Sequence, residues 1–202
     1  NSRSTEALNT IIDTKDIALE TIPYDEGFKH TNLVIDDQVA CVVFSLPTTH
    51  GSIQDFKEIN NVIKEAGAIS VCLLDPSILG VVETPGRMGF DIVVSEGQSI
   101  GSPMSFGGPT VGWFATRKEY ARLIPGRLIG ETVDGNNTKA YVMTLRAREQ
   151  DIRREKASSN ICTNQTLNAI GSAIHLSWLG PQGLKEMSYL SMQKAHYLKD
   201  RL

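Results

Sequence analysis

Hydrophobic positions along the chain switch repeatedly between two periods. Residues 39–46 (VACVVFSL) are continuously apolar and rich in β-branched side chains, which predicts a strand covered on both faces. Residues 55–66 change to helical spacing, with Phe56, Ile59, Val62, Ile63 and Ala66 on one stripe and Gly67 placed to cap the end. Residues 68–74 return to the buried-strand pattern and stop at Asp75-Pro76. Two more short strands are expected at 91–95 (DIVVS) and 111–116 (VGWFAT), and another at 141–145. A short extended run at 17–22 ends at Pro23, and helices are expected at 148–156, 165–179 and 184–202. Strands alternating with helices predict an α/β domain with a largely parallel sheet. Both ends look cut, the first residues leading straight into a β-α-β pattern and the last helix running to Leu202 with no cap.

Composition narrows the possibilities without naming one. The chain has 202 residues, 41% apolar and 21% charged, with a formal net charge of -3, which is ordinary for a globular domain. With 20 basic and 23 acidic residues, neither nucleic acid nor a membrane surface is an expected partner. The densest basic stretch, 146–156, also holds Glu149, Asp151 and Glu155 and reads as a solvated helix face. No segment approaches the roughly 20 apolar residues of a membrane helix. Cys41, Cys72 and Cys162 show no CxxC spacing, so free, buried thiols in a reducing cytoplasm are expected.

Three segments could carry chemistry. The loop 97–109 (GQSIGSPMSFGGP) is rich in glycine, which lets a ligand or another chain approach the backbone. It has no GxxxxGK[ST], and composition alone favours a plain connection between strands. Asp75 stands where a buried strand ends, the end at which open α/β sheets bind ligands. Such a carboxylate can hold a protonated heterocycle nitrogen or simply cap the Asp-Pro turn. Ser158, Ser159, Asn160, Thr163 and Asn164 cluster before the helix expected at 165, more polar groups than one N-cap needs, so a phosphate-facing helix start is open beside capping. His30, His50, His175 and His196 lack ligand spacing, and no metal site is expected.

The strings EGQSIGSPMSFGGP (96–109), RLIPGRLIGETVDG (122–135) and LRAREQDIRREKASSNICTNQ (145–165) closely resemble the P-protein, glycine decarboxylase, of the glycine cleavage system. The resemblance runs from about Gln38 to Leu202, and residues 1–37 match loosely. It implies a three-layer α/β/α architecture, the large domain of the type I pyridoxal-phosphate-dependent transferase fold. Residues 1–202 would then be one truncated domain of a longer subunit, without its N-terminal segment and C-terminal small domain. It further implies that glycine loses its carboxyl group and the aminomethyl remainder passes to the lipoyl group of H-protein. Two similar modules pair in that family, and one holds the cofactor lysine, which follows a histidine in a glycine-rich loop.

This chain resembles the other module, subunit 1. Gly97-Gln98 stands where the His-Lys pair would, and a glutamine cannot form an imine. No catalytic residue is therefore expected in this chain, and the fragment alone is expected to be inactive. Pyridoxal phosphate would be held by the companion subunit of a hetero-oligomer in the cytoplasm (in mitochondria if the parent is eukaryotic). Thr163, with Asn160 and Asn164, would face the cofactor phosphate in trans. Asp75 would be a degenerate counterpart of the pyridine-nitrogen ligand, and Gly107 and Gly108 would form part of a loop wall. The rivals are a non-catalytic scaffold subunit, separable by mutating Thr163 and Arg154, and a self-sufficient pyridoxal-phosphate enzyme using Lys118 or Lys156. A nucleotide-binding module, a weaker rival, would need a GxGxxG or Walker motif that the sequence lacks.

Overall fold

A computed structural model of the chain describes residues 2–13, 15–24, 33–144, 150–157 and 165–202. Four strands form one sheet in the order β1 (Cys41–Leu46), β2 (Ile69–Leu74), β3 (Ile92–Glu96), β4 (Gly112–Thr116). The first three run parallel, with Cys41 opposite Ile69 and Val71 opposite Ile92, whereas β4 is antiparallel to β3. The sheet is thus mixed and mostly parallel, as the alternation of elements predicts.

Helix α2 (Lys57–Glu65) joins β1 to β2 and supplies the core. Its Ile63, with Phe56 just before it, packs against Val42, Phe44, Leu46, Cys72 and Leu74 from the sheet and Phe90 from the approach to β3. The rings of Phe44, Phe56 and Phe90 lie 4.9 to 6.3 Å apart, tilted or edge-on, as aromatic quadrupoles favour. Gly67, at φ +79, closes the helix as expected, its N–H donating to Lys64 O at 3.0 Å.

Several expectations are corrected. Helix α1 (Ser2–Ile12) precedes the β-α-β unit; it buries no side chain, so it left no apolar stripe to read. The run 17–22 forms no regular strand. Strands β1 and β2 bury alternate residues, with Val43, Ser45, Val71 and Leu73 only half-buried, so one face of the sheet is sealed where two were expected. Cys41 is exposed at the start of β1, and of the expected buried thiols Cys72 alone is seen buried; Cys162 lies outside the described residues.

Residues 128–144 form a hairpin, β5 (Leu128–Val133) and β6 (Lys139–Thr144), of which only the second strand was expected. Asp134 builds its turn, its Oδ1 accepting the N–H groups of Asn136 and Thr138 at 2.8 and 2.9 Å. The helix expected at 148–156 is seen as the short α3 (Gln150–Arg153) and a 3-10 turn, Arg154–Lys156. The last two expected helices are both seen, within α4 (Thr166–Lys199): they meet at Gly180, whose φ 61 and ψ -178 are not helical, and Pro181 opens the second. Leu167, Ile170, Ile174 and Trp178 form an exposed apolar stripe along its first half.

Candidate functional site

An open cleft of about 710 Å³ lies at the carboxyl ends of β1, β2 and β3, where parallel strands leave their crossover loops apart. Ser45 and Leu46 end β1, Leu74 and Asp75 end β2, Ser95 and Glu96 end β3, and Gln98 and Ser99 follow in the glycine-rich loop; all of them line it. The structure therefore brings Asp75 and Gln98 to one place, although 23 positions separate them in sequence (98 − 75).

Asp75 does the work of a cap. Its Oδ1 accepts from Ser77 N at 3.0 Å at the start of the 3-10 turn Pro76–Ile78, and Ser99 Oγ reaches the same oxygen at 3.3 Å. Glu96 closes the base of the loop, its Oε1 accepting Gln98 N and Val111 N, each at 3.0 Å. A Cβ on Gly97 would lie 2.5 Å from Trp113 Nε1 and 2.8 Å from Val111 Cγ1, so only glycine fits there. Ser95 Oγ is buried without a hydrogen-bond partner.

A second cleft, of about 630 Å³, shares Gln98 and Ser99 and is otherwise lined by Gly101, Ser102, Pro103, Met104 and His175. His175 reaches it from α4, and its Nε2 is also buried without a partner. Gly107 (φ +100) and Gly108 line neither cleft and sit at the open tip of the loop, beside the fully exposed Phe106. Thr163, Asn160 and Asn164 lie outside the described residues. Among the described residues no lysine lines either cleft. Lys118 stands exposed after β4, and the side chain of Lys156 lies outside the described set.

The residues present do not fit a covalently held pyridoxal phosphate. Among the described residues the clefts offer amide, hydroxyl, carboxylate and imidazole groups and no primary amine. The residues that sequence reasoning missed, Ser95, Glu96, Ser99 and His175, owe their places to tertiary contacts. Glu96 had one signal, its position as the last residue before the glycine-rich loop.

A mostly parallel sheet with a polar cleft at its carboxyl ends defines an open α/β protein, the architecture in which ligands bind at that edge of the sheet. The chain belongs to the glycine cleavage system P-protein family, whose model it matches over residues 1–202. That match takes in residues 1–37, where the resemblance had looked loose. The chain is 45% identical over 195 residues to "Probable glycine dehydrogenase (decarboxylating) subunit 1" of Desulfitobacterium hafniense, covering 95% of this chain and 44% of that protein. It is 44% identical over 200 residues to the protein of the same name in Geobacillus thermodenitrificans, covering 98% and 45%. A crystal structure of glycine decarboxylase (P-protein) of the glycine cleavage system, in inhibitor-bound form, superposes with a TM-score of 0.92 at 40% identity, over 98% of this chain and 45% of that one. That likeness bears out the expected fold class. The chain spans somewhat less than half the length of these relatives, and the name subunit 1 implies a second subunit.

Proposed function

We propose that this chain is part of the large domain of the cofactor-free module of glycine decarboxylase, and that it completes in trans a site whose pyridoxal phosphate the companion subunit holds. One observation supports this: the cleft that gathers Asp75 and the glycine-rich loop at the carboxyl ends of the sheet is lined by Gln98, the residue that the family resemblance sets at the position of the cofactor lysine and that cannot form an imine. The relatives' name, glycine dehydrogenase (decarboxylating) subunit 1, supports both the reaction and the division of labour. The chemistry is decarboxylation of glycine with transfer of the aminomethyl group to the lipoyl arm of H-protein. When bound, the cofactor supplies the electron sink that decarboxylation requires.

This chain's contributions are positional. Thr163, with Asn160 and Asn164, precedes the start of α4 and offers side-chain donors to the phosphate across the interface. The 97–109 loop, with Gly107 and Gly108 at its tip, forms a wall of the shared site.

The test uses the full-length subunit assembled with its companion and loaded with pyridoxal phosphate. After borohydride reduction, peptide mapping is expected to find the pyridoxyl label on a lysine of the companion, and a label on any lysine of this chain refutes the assignment. Thr163→Ala is expected to weaken cofactor retention about tenfold, roughly the worth of one charge-assisted hydrogen bond. Unchanged retention would leave this chain a scaffold.

A further inference from the structure

Helix α4 grips two of the segments that line the first cleft, those after β2 and β3, and it does so in the same manner each time. In its first half, Ser172 Oγ donates to Ile100 O at 2.8 Å, and a Cβ on Gly101 would lie 2.7 Å from His175 Cβ. In its second half, Ser188 Oγ shares its proton between Ser77 O at 2.5 Å and Leu184 O of its own helix at 2.8 Å, and a Cβ on Gly80 would lie 2.6 Å from Leu184 O, Lys185 Cα and Ser188 Oγ. Each anchor thus pairs one buried serine, 3% and 2% exposed, with one glycine pressed against the helix.

Between the anchors two helical halves meet at a kink. Gly180 adopts φ 61, ψ -178, a region open essentially to glycine alone. A Cβ at 180 would meet nothing within 4 Å, so this residue is glycine for the sake of the bend and not of space. In front, Ser77 N and Ser99 Oγ converge on Asp75 Oδ1. The contacts close a ring, from α4 through Ser77 to Asp75, across to Ser99, and through the neighbouring Ile100 back to α4.

We propose that α4 is a bent strap that holds the 75–80 turn and the 97–101 segment as one unit, which makes Ser172, His175 and Ser188 positioning residues for the cleft. A displacement of the helix is shared by both walls, where two independent loops would each move alone. The functional half of the proposal rests on the trans-completion role above; the mechanical half does not.

Hydrogen exchange in the full-length subunit separates them. Ile100 N and Ser102 N are bonded within the glycine-rich loop, to Gly97 O at 2.9 Å and Gln98 O at 3.2 Å, while Leu79 N and Val81 N are bonded within the other turn. Ser188→Ala is expected to speed exchange at Ile100 and Ser102 roughly five- to tenfold, the worth of one hydrogen bond in local opening. Ser172→Ala is expected to do the same at Leu79 and Val81. Gly180→Ala, which changes the bend and no contact, is expected to accelerate both sets. Acceleration confined to the side of the altered anchor overturns the strap. Remote acceleration with reduced cofactor retention in the assembled, loaded enzyme supports both halves. Remote acceleration with unchanged retention and unchanged glycine decarboxylation supports the strap and refutes trans-completion.

Discussion

The two ends of the central sheet use the same residue types and leave them in opposite states. At the amino ends of β2 and β3, Asp91 spends both carboxylate oxygens. Its Oδ2 takes Ser70 N and Ser70 Oγ, and its Oδ1 takes Arg117 Nε at 2.8 Å. Arg117 also ties down Gly89 O, and Thr116 Oγ1 returns to Asp91 O. At the carboxyl ends, among the described residues, Asp75 and Glu96 each engage one oxygen, and Ser95 Oγ has no partner. An acid with every acceptor used is structural. One with capacity to spare, facing a cleft, is free for other work.

The contrast can be broken at either end. The largest effect is expected from Asp91→Ala, which strands Ser70 (1% exposed) and Arg117 together and should cost about 3 kcal/mol of unfolding free energy in urea. A loss below ~1 kcal/mol would put the two ends on a par.

A pH titration probes the sealed face between them. Burial pushes the Cys72 thiol up to about 12 from its ordinary 9.0. The native thiol keeps its proton where the unfolded one has lost it, so this contribution is fully present below pH 9 and lost as pH rises towards 12. The slope is about 1.4 kcal/mol per pH unit, to be read against Cys72→Ala, in which it vanishes. Below pH 9, a thiol reagent should modify Cys41 and spare Cys72 in the native protein.

Smaller effects are expected at the cleft. Asp75→Ala removes a cap and should cost about 1 kcal/mol. Ser95→Ala deletes a hydroxyl that already lacks a partner and should fall within ~0.5 kcal/mol of neutral, or stabilise. A loss of 2 kcal/mol there would mean that the carboxyl end is as fully committed to structure as the amino end.

Legibility in the sequence followed burial. Strands β1 and β2 and helix α2 stood out because alternate or helical positions enter one core, and Gly67 because a helix must stop. Strand β5 did not, since LIGETV carries Gly130 and Glu131 and buries none of its residues. The half-open face of β1 and β2 was unreadable for the opposite reason: Val43, Val71 and Leu73 are apolar enough to be covered, and nothing local says by what. At the cleft, Asp75 was visible as a strand-ending acid and Gln98 through the family resemblance. Ser172 and Ser188 were not, because a serine inside a helix looks the same whether its hydroxyl bonds its own helix or a loop 72 or 111 residues away.

Gly97 beneath Trp113 makes the two neighbouring positions 97 and 98 unequal. Changing Gln98 to lysine would place an amine in the cleft in a single step, but any side chain placed at 97 collides with the indole and with Val111. A side chain at 97 therefore demands concerted changes at Trp113 on β4 and at Val111 just before it, so the indole ring sets which residue can stand beside Gln98.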